Sequence, residues 1–188
     1  MILGAAWLCI GLSLPVAHAQ SSACAPSYAC AQALVRSATT LGGPADGFLM
    51  LDDIMARNEE YKIFSDGHEF AHVIGRQWAK DKGESGDAFL ACPRDYYYGC
   101  QHGFFESVLA TADSPVEAAT SVCESAPGSQ RFFCYHGVGH GLMMSYAYKL
   151  DSVLQKCDQM PSDGFKQNGC WQGAFMENIN FLFLKSGI

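Results

Sequence analysis

Eight cysteines in sequential couples limit this chain more than any other feature of its sequence. They are Cys24/Cys30, Cys92/Cys100, Cys123/Cys134 and Cys157/Cys170. Many pairings are open to eight cysteines. The spacing favours four short loops, each contributing roughly 2–3 kcal/mol by restricting the unfolded chain. Thiolate ligation of a metal is the competing use of cysteine, and an oxidising compartment disfavours it. The first residues imply such a compartment. Met1 to Ala19 carries no charge, is apolar from Ile2 to Val16 and ends in the small-x-small site Ala17-His18-Ala19. We read 1–19 as a signal peptide, the alternative being a membrane anchor, and 20–188 as a single secreted or periplasmic domain. Cleavage removes Cys9 and His18 and leaves an even number of cysteines.

The second members of three couples align. Tyr98-Gly99-Cys100-Gln101-His102-Gly103 matches Phe133-Cys134-Tyr135-His136-Gly137 and Gly169-Cys170-Trp171-Gln172-Gly173, with cysteines 34 and 36 residues apart. A period in the mid-thirties belongs to helix–turn–helix repeats. Ser114-Pro115-Val116-Glu117 reads as a capping box opening a helix through about Glu124. Further helices are expected from Arg131 to Tyr148, from Leu150 to Cys157, from Cys170 onward, and upstream over Ala45–Phe64 and Gly67–Lys80. Alternating strand patterns are nearly absent. The expected fold is all-α: a curved, solenoid-like stack of antiparallel helix pairs in repeats of about 34 residues, stapled by disulfides. The spacing over roughly residues 85–180 resembles the cysteine-stapled Sel1-like repeat proteins. That resemblance implies a disulfide tying the two helices of each repeat, and nothing about function.

Composition removes several function classes. Twelve Lys+Arg against 19 Asp+Glu give a net charge of -7, so no basic surface meets the phosphates of a nucleic acid. No apolar run after the leader approaches the ~20 residues of a membrane span. At the far end, Phe181-Leu182-Phe183-Leu184 is followed by no polar capping helix, which repeat stacks need. We therefore expect either more chain beyond Ile188 or a partner over that end.

The histidines carry the chemistry. His102 is followed by Glu106 and His136 by His140; upstream, Asp66 stands at the cysteine position and His68 is followed by His72. In the last unit the same slots hold Gln172 and Met176. Side chains at i and i+4 share one helix face, roughly 6 Å apart at Cβ. If successive long helices lie side by side, His68, His72, His102, Glu106, His136 and His140 converge on one cavity. Five imidazoles and a carboxylate suit Zn or Fe, with Cu also acceptable, rather than Ca or Mg. Six ligands fit one crowded ion, or two ions with about three protein ligands each. The plainer alternative is that repeat duplication copied a packing histidine. Met143, Met144 and Met160 would suit copper but are more commonly packing. Gly103, Gly137, Gly139, Gly141 and Gly173 interrupt the long helices, through tight helix packing or to leave room for a ligand.

His68-Glu69-Phe70-Ala71-His72 is a literal HExxH and resembles the zinc-protease motif, in which both histidines bind zinc and the glutamate is the general base. With Gly75 it resembles the start of the metzincin motif, but Trp78 stands where that family has its third ligand. His102 or Glu106 would have to substitute. The zincin family also has a β-sheet ahead of the motif, and residues 20–64 show no strands. The sequence leads to an exported metalloprotein, an enzyme activating water or dioxygen with Glu69 or Glu106 as proton carrier. A zinc metalloprotease, a non-catalytic periplasmic metal-binding protein and a helical interaction scaffold are the alternatives.

Overall fold

The computed structural model describes residues 27–58, 67–161 and 163–186. Every regular element among them is a helix: α1 (Tyr28–Gly42), α2 (Pro44–Arg57), α3 (His68–Lys82), α4 (Gly86–Leu90), α5 (Asp95–Thr111), α6 (Pro115–Glu124), α7 (Gln130–Ser145), α8 (Leu150–Cys157) and α9 (Gly164–Ser186). The expected all-helical class is therefore observed. No helix among the described residues is long and apolar enough to cross a membrane.

Local chemistry explains most boundaries. Ser27 and Ser85 accept from the amides of Cys30 and Ala88 at the starts of α1 and α4. Pro44 and Pro115 occupy the first helical positions of α2 and α6, where a missing N–H costs nothing. The expected capping box at Ser114 does not form through its side chain. Its carbonyl accepts from Ala118 at 3.0 Å, and the proline sets the start. Helix α7 ends at Ser145 rather than Tyr148, because Ala147 and Tyr148 turn left-handed (φ 50° and 59°) and the Tyr148 amide returns to the Met143 carbonyl. Helix α9 begins at Gly164, well before Cys170, because the Asp163 carboxylate caps the Lys166 amide. Helices α1 and α4 were not anticipated. The expected extension of α2 to Phe64 falls in 59–66, outside the described residues, as does the leader.

The long helices α3, α5, α7 and α9 contact one another in that order, and α1 and α2 pack on α3. Helices α5 and α7 bury residues all round, from Gly99 to Glu106 and from Gly137 to Met143, as expected of helices enclosed by others. Three expected disulfides are present: Cys92–Cys100, Cys123–Cys134 and Cys157–Cys170. Each ties a short helix to the opening of the long helix that follows, two residues before His102, His136 or Gln172. Intrachain disulfides of this kind fit an oxidising, extracytoplasmic compartment. The fourth couple includes Cys24, outside the described residues.

Tight packing accounts for the glycines. A Cβ on Gly103 would land on the His72 carbonyl, and one on Gly75 on the Cys100 carbonyl, so α3 and α5 touch through their backbones. Gly139 and Gly173 do the same between α7 and α9, against the Cys170 and His136 carbonyls. Between α5 and α7 the approach is less close. A Cβ on Gly141 would sit 2.7 Å from the Phe105 carbonyl oxygen, and one on Gly137 would first meet the Phe105 ring at 3.1 Å. Met143 and Met160 are core residues, and Met144 is partly exposed. Phe181 stacks on Tyr148 with ring centroids 4.0 Å apart, while Phe175, Ile179 and Leu182 leave an apolar stripe of α9 about half exposed.

Candidate metal centre

All five histidines of the described chain meet where α3, α5 and α7 adjoin. His68 and His72 are one turn apart on α3, with ring nitrogens Nε2 2.9 Å from each other. His136 and His140 repeat this on α7, Nε2 to Nε2 3.2 Å. His102 of α5 lies between the pairs, its ring centroid 5.3 and 5.5 Å from His68 and His72 and 5.4 and 4.3 Å from His136 and His140. The donors form two groups, His68–His72–His102 and His102–His136–His140, within each of which the ligand atoms lie no more than 4.8 Å apart. Two nitrogens held at about 2.1 Å by one tetrahedral ion stand about 3.4 Å apart. The paired Nε2 atoms are already near that spacing.

The opposite nitrogens are held from behind. His72 Nδ1 meets Glu106 Oε1 at 2.5 Å, and His140 Nδ1 meets Glu177 Oε2 at 2.8 Å. His68 Nδ1 donates to the Tyr96 carbonyl at 2.7 Å. A proton kept on Nδ1 by a carboxylate or carbonyl leaves the Nε2 lone pair free, the usual arrangement behind metal-binding histidines. The Tyr96 carbonyl is aimed by an unusual backbone. Tyr96, Tyr97 and Tyr98 all adopt left-handed angles (φ 51°, 54° and 64°) before the right-handed part of α5 begins at Gly99. That conformation costs roughly 1–2 kcal/mol per residue. Stacking of Tyr98 on Phe133 and of Tyr96 on Phe48 offsets part of it.

Glu106 is not presented to the cavity as a free ligand. Its two oxygens go to His72 and to Arg76, and the carboxylate is buried. Burial raises its pKa, but the hydrogen bond from His72 and the charges of His72 and Arg76 outweigh that and hold it down at about 2. Burial likewise lowers His72, yet Glu106 reverses the sign and its pKa is raised. The other rings lack such compensation. Burial and neighbouring imidazoles push His102 well below the ordinary value and His136 down to about 4, and His68 is lowered by burial and His72. Near neutrality these three are uncharged and retain their lone pairs. His102 is also unsatisfied: its buried Nδ1 has no hydrogen-bond partner, a state that costs roughly 1–3 kcal/mol.

A cleft of about 570 Å³ opens over the rings. His68, His102 and His136 line it, with Tyr97, Tyr98, Phe132, Phe133 and Met176 as apolar wall and Gln172 and Asn180 as amide contacts. His72 and His140 lie deeper, at 4% and 1% exposure. The aromatic clusters thus serve both purposes: Phe104 and Phe105 are core, whereas Tyr97, Phe132 and Phe133 face the cleft. Glu69, the HExxH glutamate, is exposed. Trp78 donates its indole N–H to the Ala88 carbonyl at 2.9 Å.

Sequence reasoning missed Glu177, Arg76 and the Tyr96 carbonyl. Arg76 had a signal, since it continues the His68–His72 ladder by four residues. Glu177 stands one residue past the Met176 slot, where register alone does not point. Comparison of this chain with protein-family models, curated proteins and solved structures finds no match.

Proposed function

We propose that this protein is an exported metalloprotein whose five histidines hold one or two transition-metal ions at the floor of an aromatic cleft. One observation carries the reading: the Nε2 atoms of two i, i+4 pairs face each other while two carboxylates and a carbonyl fix three of their four Nδ1 atoms. Packing histidines copied by duplication need no such backing, and the carboxylates here come from two different helices at different register. Neutral imidazole donors fit Zn, Fe or Cu. In this reading Glu106 and Glu177 are positioning residues that orient His72 and His140, rather than ligands. The stacked-repeat architecture belongs to the same proposal, each unit adding a ligand pair at equivalent positions.

The protein is read as an enzyme because three of the histidines face an open cleft. A bound ion there supplies a Lewis acid for water or, if iron or copper, a site for dioxygen chemistry. The chain contributes an aromatic wall and the Gln172 and Asn180 amides, which can orient a polar group. The HExxH protease reading loses ground because Glu69 is exposed and no strand occurs among the described residues. The test is the metal content of protein exported to a periplasm and purified without added metal. One or two equivalents of a transition metal per chain are expected, reduced in His102→Ala and His136→Ala. A folded wild-type protein that stays metal-free after incubation with Zn, Fe and Cu would refute the proposal.

A further inference from the structure

The two donor groups share a single residue. Each of the flanking pairs supplies two nitrogens, and each reaches three only by including His102. A buried carboxylate stands behind one pair and a partly buried one behind the other, Glu106 for His72 and Glu177 for His140. Glu106 already faces Arg76, but a single ion in the His68–His72 half would leave Glu177 with no cation to face. His102 itself makes no hydrogen bond through Nδ1 although it is 4% exposed, so that nitrogen is buried among the helices with nothing to satisfy it. Imidazole carries nitrogens on two edges of one ring, and both can bind metal only when the ring has lost its N–H proton.

We propose that the centre is dinuclear, with His102 bridging the two ions as an imidazolate, one nitrogen to the ion held by His68 and His72 and the other to the ion held by His136 and His140. This rests on the metal-binding reading above. Two metal–nitrogen bonds form at His102, and the proton displaced from its ring passes to solvent water. Four positive charges from two divalent ions then meet the imidazolate and the Glu106 and Glu177 carboxylates, with Arg76 the counter-charge on the first. The open sides of both ions face the cleft through His68, His102 and His136.

Copper(II) titration of the metal-free full chain, followed by electron paramagnetic resonance, decides the matter. The expected result is two tightly held ions per chain and an integrated signal at two equivalents smaller than that of a single ion, because spins linked through an imidazolate couple antiferromagnetically. In His102→Ala, any copper still retained should give the uncoupled signal of isolated ions. Two ions with the full signal of two independent spins would overturn the bridge, and saturation at one ion would overturn the dinuclear centre; both leave the metalloprotein reading intact. No copper retained by the wild-type chain would overturn the dinuclear copper centre, and a chain that also stays empty with Zn and Fe would remove the metalloprotein reading as well. The wild-type titration does not depend on whether the variant folds.

Discussion

The α3–α5 pair and the α7–α9 pair are built alike. Each is drawn together by glycines that bring backbones into contact, and each is bridged by one histidine–carboxylate link, His72 to Glu106 and His140 to Glu177. They differ in how that link is supported. Glu106 is 3% exposed and paired with Arg76, whereas Glu177 is 15% exposed and has the Tyr148 hydroxyl at 3.5 Å in place of a cation. The first pair also holds a complete set of three histidines, His68, His72 and His102. The second must borrow His102 from across the looser contact between α5 and α7. One half is thus self-contained, and the other depends on how two helix pairs meet. Duplicating a histidine pair does not duplicate its support.

Removing the shared residue should have the largest effect. His102→Ala is expected to lower affinity in both halves by more than about 100-fold, beyond the 10–100-fold of an outer partner; chelator competition measures it, and loss in only one half would mean that His102 belongs to that half alone. Next comes backbone contact. Gly103→Ala, which drives a methyl into the His72 carbonyl, should cost about 3 kcal/mol of stability, and Gly141→Ala at the looser contact about 1–2 kcal/mol. Denaturant unfolding of the metal-free proteins compares them, and equal losses would deny that the two contacts differ. Gly141→Ala should also weaken the second ion more than the first.

The carboxylates sharpen the comparison further. Glu106→Gln should reduce affinity toward the upper end of a 10–100-fold range and Glu177→Gln toward the lower end, because the more exposed Glu177 already shares its work with water. The reverse order in a competition titration would show that Arg76 drains Glu106 of its influence.

The smallest difference expected between variants is in acid stability without metal. In the unfolded chain histidines gain a proton near pH 6.5. Folded His136 gains one only near 4, and burial with the neighbouring imidazoles also holds His102 well below the ordinary value. The unfolded state therefore binds more protons between those values, and stability falls as pH drops from about 6.5 toward 4, by on the order of 3 kcal/mol from His136 alone. His72 acts oppositely: its raised pKa stabilises the fold below 6.5, a contribution lost as pH rises through the folded value. Glu106→Gln removes that opposition and should steepen the acid loss, read from melting temperatures at pH 7 and 5. An unchanged slope would mean that His72 is not held by Glu106 in solution.

Much of the centre was legible in the chain because it is local. Two histidines four apart on a helix share a face whatever surrounds them, and cysteines eight to thirteen residues apart can close short loops around a helix–helix turn. All five histidines were identified on those grounds, together with three disulfides and the helical class. Glu106 was found but given a ligand's place, since spacing shows a carboxylate on the ligand face and not the Arg76 that occupies its second oxygen. Glu177 was missed because each residue adds about 100° of rotation about a helix axis. The slot one turn beyond Gln172 belongs to Met176, which lines the cleft, and only the rotation of α9 against α7 turns its neighbour toward His140.

The sequence by itself therefore determined what each helix carries: the histidine pairs, the loops that pin them and the helical character of the described elements, all consequences of covalent spacing and a fixed helical period. Tertiary structure decided how the helices face each other: that His102 lies between the two histidine pairs, that carboxylates from the next helix hold His72 and His140, and that three tyrosines take left-handed angles to aim a carbonyl at His68. Those outcomes depend on the separation and rotation of packed helices. Both are set by which side chains, or missing side chains, meet at each contact, and that information is spread across residues distant in the chain.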